Sequence, residues 1–472
     1  MGTVTPLIPS ATPQASRRSW QEQDILSWLG QEAPRYTSYP SAHHFTPVPP
    51  DLYGQWLGNL TPDKSIGLYV HVPFCEQMCY FCGCNTQITR RYTPLVPYVD
   101  HLIAEARMVG EKLGHRPRVH SLHFGGGSPG IVEPVDMGRL FEALHQHFDL
   151  TQAAEISIEL DPRRVTAAKA ATYAALGVNR VSLGVQDTDM AVQRAINRVQ
   201  PIEQIRASVD LLRSYGLEAL GIDLIYGLPL QTAESLTRTL HEVESLEAAR
   251  ISVFSYAHVP WFKKHQSLID AATLPDIGTK AALAQRLSDI LTAQGYDAIG
   301  IDHFARPEDG LSRALKTGTL RRNFMGYTDM PNDRLIALGA SSISELDEGI
   351  VQNIPQATTY QNTLDKGQLA SRTGWVYGGD DRLRRTIISD LMCYFRSDIA
   401  ARLHQQGYAP DYLDADIAAL SPYIEAGLVT VTGRQVQFDG PYPMLVRTVA
   451  CTFDAYARAA HGEGTARYSK VV

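Results

Sequence analysis

The stretch Ile66–Cys84 reads IGLYVHVPFCEQMCYFCGC. Its first part, Ile66–Val72, is an apolar run too short for a buried helix and closed by Pro73, which predicts a strand. Four cysteines follow at once: Cys75, Cys79, Cys82 and Cys84. Outward from this stretch the chain alternates. Val119–Phe124, Ala154–Leu160, Arg180–Gln186, Leu220–Gly227, Arg250–Tyr256 and Tyr296–Asp302 predict further strands. Residues 97–113, 134–148, 166–176, 202–215, 232–246 and 279–294 carry the spacing of helices with one apolar face, and Gly177 and Gly216 stop two of them. The rhythm is one of six βα units. Strands that are apolar on both faces demand parallel pairing with crossover helices outside. A closed eight-unit barrel needs two more units, which the pattern lacks. The expected fold is therefore α/β, a partial (β/α)6 barrel, with ligands at the C-terminal ends of the strands.

The boundaries drawn from this pattern are a mobile tail at 1–20, an N-terminal segment at 21–60, the barrel at 61–304, an irregular extension at 305–380 and a C-terminal domain at 381–472. In the last, residues 382–406 and 411–427 read as helices. Leu428–Phe438 alternates apolar and polar residues about Thr432-Gly433, as a hairpin does. This is a small α+β domain resembling a winged helix. It carries no basic run, so a lid or interaction element is expected rather than a DNA reader.

Composition narrows the function. The chain has 472 residues, 44% hydrophobic and 20% charged, which is ordinary for a folded protein. A net charge of -7 argues against a nucleic-acid partner held by bulk charge. No run approaches the ~18 apolar residues of a membrane span, and the N-terminal Pro, Ser and Thr residues form no signal core. A cytoplasmic protein without a membrane partner is expected.

There are six cysteines. A secreted disulfide framework would spread them along the chain; a tight group points to a metal or redox centre. Spacings of three and two residues let one loop wrap an iron–sulfur cube with three thiolates, leaving one iron open. Tyr80 and Phe81 are placed to cover such a cluster. The alternative is a zinc site built from Cys75, Cys79, Cys82 and Cys84, but zinc modules usually pair two distant Cys-x2-Cys knuckles, and no second one exists here. Cys82 and Cys84 are so close in sequence that both thiolates crowd one cluster. Cys393, in IISDLMCYF, and Cys451 read as core residues.

Cys-x3-Cys-x2-Cys after the first strand resembles the signature of radical S-adenosylmethionine (radical SAM) enzymes. The segments RYTSYP, YVHVPFCEQMCYFCGCNTQITR, GGGSP, ISIELDPRR, LGVQD, IDLIYGLP, SVFSYAHVP and GIDHFARPED, in that order, are similar to the oxygen-independent coproporphyrinogen III oxidase family of anaerobic haem synthesis. The likeness runs from about Arg35 to the C-terminus. It implies a 4Fe-4S cluster on Cys75, Cys79 and Cys82, with Cys84 outside it, and two S-adenosylmethionine molecules per chain. It implies an oxidoreductase in which a 5'-deoxyadenosyl radical takes hydrogen from propionate β-carbons of coproporphyrinogen III. Loss of carbon dioxide and an electron then leaves the vinyl groups of protoporphyrinogen IX. A low-potential electron donor and a monomeric state are implied as well. A diverged radical SAM enzyme with another tetrapyrrole substrate and a non-catalytic haem chaperone use the same barrel; RYTSYP and Cys84 favour the enzyme.

The resemblance carries S-adenosylmethionine contacts to Tyr69, Phe81, Gly126, Gly127, Ser128, Glu159, Gln186, Arg198, Asp223, Ala257 and Ile343. For Tyr69 and Phe81 core packing is the plain alternative. For Gly126, Gly127 and Ser128 it is a tight turn. For Glu159 it is a salt bridge to Arg163 or Arg164. A tetracarboxylate substrate needs fixed cations, for which Arg35, Arg306 and Arg322 are candidates. His303 and His258 are candidate proton donors or substrate contacts. One segment departs from the family: NFMGYTDM (Asn323–Met330) stands where NFQGYTTQ is usual, so Met325 and Asp329 imply altered substrate contacts.

Overall fold

The computed structural model describes residues 22–151, 153–331, 333–457 and 468–472; the tail expected at 1–20 lies outside them. The chain divides into two compact units. One comprises Phe45–Leu274 and Met330–Tyr377. Among the described residues, the other comprises 22–44, Pro275–Asp329, 378–457 and 468–472. This grouping departs from the linear boundaries read from the sequence, because residues 330–377 return to the strand-rich unit.

In that unit the apolar runs form the strands β1 (Ile66–Val72), β2 (Val119–Gly126), β3 (Glu155–Leu160), β4 (Arg180–Gln186), β5 (Ala219–Tyr226) and β6 (Arg250–Ser255). Each pairs in parallel with the next in sequence. Crossovers between sequential parallel neighbours follow the right-handed rule, which sets connecting helices on one face of a sheet. The helices are α1 (Leu95–Leu113), α2 (Pro134–His147), α3 (Ala167–Ala175), α4 (Ile202–Ser214) and α5 (Ala233–Glu244), and α1 to α4 pack in series. Helix α1 buries Leu95, Val99, Leu102, Ala106 and Val109 and ends at Gly114, whose φ of 68° a side chain would resist. Every residue of β1 is buried, His71 included, as for a central strand covered on both faces.

The segment read as irregular adds a further parallel strand. Strand β7 (Leu335–Leu338) lies beside β1, with Leu335 opposite Gly67 and Leu338 opposite Val70. From it β8 (Ile343–Leu346), β9 (Gly349–Asn353) and β10 (Ser371–Val376) run antiparallel in turn. Four-residue strands are too short to show a period in the sequence. The result is an open mixed α/β sheet with a parallel core, and among the described residues no closed barrel. No helix among them is long and apolar enough to cross a membrane.

The second unit corrects three sequence expectations. The strand expected at 296–302 is only Asp297–Ile299, in an antiparallel hairpin with His303–Ala305. The helix expected at 382–406 breaks at Phe395 (φ 58°) into Asp381–Tyr394 and Ile399–Gln406, with Arg396–Asp398 pairing against Gln435–Phe438. Residues 411–427 hold two short helices, Asp414–Ala418 and Ser421–Glu425. The hairpin of Val429–Thr432 and Gln435–Phe438 forms as expected. Cys393 is fully buried with Ile299, Leu311 and Tyr327, whereas Cys451 is only half-buried.

One buried acid holds the return of the sheet in place. Glu105, on α1 and 2% exposed, accepts hydrogen bonds from Gly339 N (2.7 Å), Asn353 Nδ2 (2.7 Å) and Tyr360 Oη (2.6 Å). Burial outweighs these three donors and lifts its carboxyl to about 7. The folded chain then keeps a proton that the unfolded chain releases near pH 4.5, so this group's contribution to stability falls as pH rises from about 4.5 to 7. The expected loss is on the order of 3 kcal/mol across that window. Glu105→Gln should flatten that part of the pH profile, read from urea midpoints between pH 5 and 8. Glu105→Leu, which strands three buried donors, should cost about 3–5 kcal/mol near pH 5, where the buried carboxyl still keeps its proton, and less as the pH rises toward 8.

Candidate functional site

The cysteine loop is seated on the C-terminal ends of the parallel strands. Gly127 N donates to Val72 O and Ser128 N to Phe74 O, both at 2.9 Å, so the end of β2 fixes the exit from β1. A Cβ on Gly127 would lie 2.7 Å from the Phe74 carbonyl oxygen, and one on Gly126 (φ 119°) would meet the His71 ring at 2.7 Å. These glycines are thus required for close passage of the loop. Beyond β3, Arg164 pairs with Glu76, and Arg163 Nη1 donates to Gln77 Oε1 (3.2 Å). After β4, Asn197 Nδ2 donates to Met78 O (2.8 Å), and Tyr80 N donates to Ile196 O (3.0 Å). Beyond β6, Gln266 Nε2 donates to Phe81 O (3.1 Å), Lys263 Nζ donates to Cys84 O (3.0 Å), and His265 Nε2 lies 2.7 Å from Cys82 O. Tyr80 and Phe81 pack against an apolar cluster that includes Val192, Ile225 and Tyr256.

Cys79 is buried, Cys75 and Cys82 are partly covered, and Cys84 is exposed. Arg198 is 8% exposed and sets Nη1 3.4 Å from Cys79 Sγ, Nη2 2.7 Å from Gly184 O and Nη1 3.6 Å from Asp161 Oδ2. Its Nε is buried with no hydrogen-bond partner. Burial pushes the Cys75 thiol up to about 12, with Cys82 and Cys79 adding and Arg198 opposing. A hydrogen bond from Cys84 pulls Cys82 down to about 6, with His265 and Lys263 assisting against burial. Asp161, despite its burial, is held at about 2 by Arg198 and Arg163.

Two groups of candidate residues form beside this loop. In one, the Tyr69 hydroxyl lies 2.9 Å from His71 Nδ1, and its ring stacks on His123 at 5.8 Å. Glu159 meets His123 Nε2 (3.1 Å) and accepts from Gly126 N (3.3 Å). Neither Arg163 nor Arg164 pairs with Glu159, contrary to the plain reading; Arg163 is drawn to Asp161 (2.6 Å) and Arg164 to Glu76. Ser341, two residues before Ile343, places Oγ 3.4 Å from His71 Nε2. In the other group, Gln186 adopts an uncommon φ of 68° where the β4 register shifts. A Cβ on Gly184 would meet both Gln186 Nε2 (2.8 Å) and Arg198 Nη2 (3.0 Å). Asp223 lies opposite Gly184 and accepts from Ser182 Oγ (3.0 Å). Ala257 follows β6, and His258 Nδ1 lies 2.9 Å from the Tyr256 hydroxyl.

The Radical SAM superfamily profile matches residues 69–243. The oxygen-independent coproporphyrinogen III oxidase of Bradyrhizobium diazoefficiens is 43% identical over 92% of this chain and 97% of its own length. That of Escherichia coli K12 is 39% identical over 92% of this chain and 95% of its own. The solved coproporphyrinogen III oxidase from Escherichia coli, a radical SAM enzyme, superposes with a TM-score of 0.85 at 37% identity, covering 90% of this chain and 100% of that one. The chain belongs to the oxygen-independent coproporphyrinogen III oxidase family.

Membership in this radical SAM family implies a 4Fe-4S cluster and S-adenosylmethionine, and the residues present fit both. Among the described residues, no three or more His, Cys, Asp or Glu side chains converge as for a single metal ion. A larger cluster spans more widely placed sulfurs. The Arg198 guanidinium against Cys79, and its unpartnered Nε, suit a negatively charged thiolate–cluster unit. The Tyr69, Glu159 and Gly126 group offers a carboxylate and a close backbone approach to an amino acid or ribose.

The remaining candidates lie in the second unit. Arg322 is buried against Asp302 at two contacts of 3.3 Å and stacks over Tyr327 at 4.4 Å; His303 Nδ1 sits 2.7 Å from the same Asp302. Arg306 Nη1 donates to Gln294 O (2.7 Å), and the guanidinium covers the Tyr296 ring. Arg35 is half-buried near Lys280, whose ammonium is pushed down to about 8 by burial, then by Arg35, Lys470 and Arg447. Met325 occupies the turn of the hairpin formed by Arg321–Asn323 and Gly326–Thr328, its N–H donating to Asn323 Oδ1 (2.9 Å).

Sequence reasoning missed His71, His123, Asp161, Asn197 and the Lys263–Gln266 segment. His71 alone left a signal, as a polar residue in an otherwise apolar strand. Gly127→Ala should cost about 1–3 kcal/mol in urea denaturation, because the atoms it strikes are backbone. Gly83→Ala, in the same loop with nothing within 4 Å, should be neutral.

Proposed function

We propose that this chain carries out the oxygen-independent oxidative decarboxylation of two propionates of coproporphyrinogen III, giving protoporphyrinogen IX. The observation that supports this most directly is the buried contact between Arg198 and Cys79, at the centre of a cysteine loop pinned over the strand ends. The conservation of length and sequence with relatives named for this activity supports the substrate. Cys75, Cys79 and Cys82 would hold the 4Fe-4S cluster, with Cys84 outside it. Tyr69, Phe81, Gly126, Gly127, Ser128, Glu159, Gln186, Arg198, Asp223, Ala257 and Ile343 would contact S-adenosylmethionine, two molecules per chain. When bound, these cofactors supply a 5'-deoxyadenosyl radical that abstracts hydrogen from a propionate β-carbon.

The chain's own residues then bind, orient and exclude water. Arg198 offsets the negative charge of the thiolates from a site with little solvent. Glu159, braced by His123 and Gly126 N, presents an acceptor to an ammonium or hydroxyl. Arg35, set among other cations, receives a substrate carboxylate, for which paired N–H donors are suited. Arg306 and Arg322 stand as further carboxylate partners, and His258 and His303 as proton donors. The protein would act as a cytoplasmic monomer, reduced by a low-potential donor.

Anaerobic turnover tests this directly. Reconstituted protein, S-adenosylmethionine, a strong one-electron reductant and coproporphyrinogen III should yield protoporphyrinogen IX, detected by chromatography after oxidation. Formation of 5'-deoxyadenosine without a vinyl product would sink the substrate assignment. Tight haem binding without turnover would favour a carrier.

Cys75→Ser should lose the visible absorbance and iron of the cluster, whereas Cys84→Ser should keep both. Loss in the second variant would overturn the three-ligand assignment.

Arg35→Gln should raise KM for coproporphyrinogen III about tenfold while leaving uncoupled S-adenosylmethionine cleavage intact, on the scale of one lost charged hydrogen bond. Equal loss of both would mean that Arg35 holds the fold rather than the substrate.

A further inference from the structure

The segment Val259–Leu268 is an exposed apolar and basic knob built directly onto the cysteine loop. Trp261 is 62% exposed, Phe262 74% and Leu268 61%. Apolar side chains this open, and grouped within eight residues, mark an interaction surface. Lys264 is exposed beside them, and Lys263 lies over the Phe262 ring at 5.3 Å. The nearest acid along the segment, Asp270, is engaged as the cap of the next turn, accepting from Ala272 N at 3.0 Å. A chain of net charge -7 thus presents a locally positive face here.

The knob is rigid. Phe262 N and Lys263 N both donate to Val259 O at 2.9 Å, and Val259 N donates to Gln266 Oε1 at 2.6 Å. Its inner side holds the site: Lys263, His265 and Gln266 bind the carbonyls of Cys84, Cys82 and Phe81. One short turn therefore touches the thiolate loop on one side and solvent on the other.

We propose that Trp261, Phe262 and Lys264 form the docking surface for an acidic, low-potential electron-carrier protein, a proposal that rests on the cluster site argued above. The carrier would lose one electron, as from a flavin hydroquinone to its semiquinone, and the 4Fe-4S core would gain it, with no bond made or broken. Protruding aromatics beside a cation match the centre of a protein interface. A tetrapyrrole substrate that must be shielded from water and oxygen calls for an enclosed site instead.

The test uses the full chain, its variant Trp261→Ala/Phe262→Ala/Lys264→Glu, and an acidic flavodoxin as probe. Calorimetric titration of flavodoxin into the protein should show binding that weakens with salt and a dissociation constant raised about tenfold or more in the variant. Reconstituted variant should cleave S-adenosylmethionine at the unaltered rate with dithionite. At sub-saturating reduced flavodoxin it should be at least about tenfold slower. Absence of flavodoxin binding to the unaltered chain overturns the proposal, as do equal binding and rates in the variant. So does a dithionite-driven rate that falls while flavodoxin binding is kept, which assigns the knob to the substrate. Failure of the unaltered protein to form 5'-deoxyadenosine with dithionite refutes the cluster site instead, and the calorimetric arm still decides the surface.

Discussion

Two backbone hydrogen bonds, Gly127 N to Val72 O and Ser128 N to Phe74 O, turn the chain out of β1 and into the cysteine loop. They form only because the end of β2 carries no side chains, so the two strand ends approach within van der Waals contact. Everything else at the site follows from that exit. The loop leaves at the C-terminal edge of a parallel sheet whose successive strands are spatial neighbours. The segments that follow β3, β4 and β6 therefore arrive beside it in order. Each supplies one set of anchors, and no cysteine is left on a free-swinging loop.

Charge is distributed in the same spirit. The chain is acidic as a whole, yet the surroundings of the thiols are positive, with Arg198 and Arg163 on the buried side and Lys263 and His265 on the open side. Asp161 balances the two arginines and stays ionised in spite of its burial. These cations oppose the cost of burying negative charge at Cys75 and Cys82 while leaving the net charge of the protein unchanged. In the second unit the cations around Arg35 crowd one another, which is the local condition a polycarboxylate requires. Arg322 is different in kind. Its charge is already met by Asp302, so any substrate carboxylate must compete with a buried ion pair.

The strands β1 to β6 were legible because each is a short run rich in Val, Ile, Leu and Phe set between helical periods, and six of the helices because their apolar spacing is long and regular. Strands β7 to β10 were not, since runs of four to six residues carry too few positions to show a period. The single helix expected across 382–406 failed at Phe395, where a left-handed residue without a glycine gives no warning in the sequence. The plain alternative for Glu159, an ion pair with Arg163 or Arg164, does not form, because the turn Pro162–Arg164 hands those arginines to Asp161 and Glu76 while Glu159 meets His123 and Gly126 N.

By itself the sequence determined the chemistry that the protein is equipped for. Cysteine spacing is covalent information, and a Cys-x3-Cys-x2-Cys loop after an apolar strand places three thiols at one strand end whatever happens elsewhere. It also pointed to the parallel α/β class, because strands alternating with helices of ten or more residues supply the crossovers that parallel neighbours need. Only the tertiary structure decided which residues serve that loop. Arg198 beside Cys79, His71 and His123 around Tyr69, and Lys263 and His265 over Cys84 and Cys82 are contacts between residues 54 to 183 positions apart, apart from the close pair of His71 and Tyr69. No local pattern encodes them. They exist because sequential right-handed crossovers bring separate strand ends to one edge, and a buried charge must find its partner there or not fold at all.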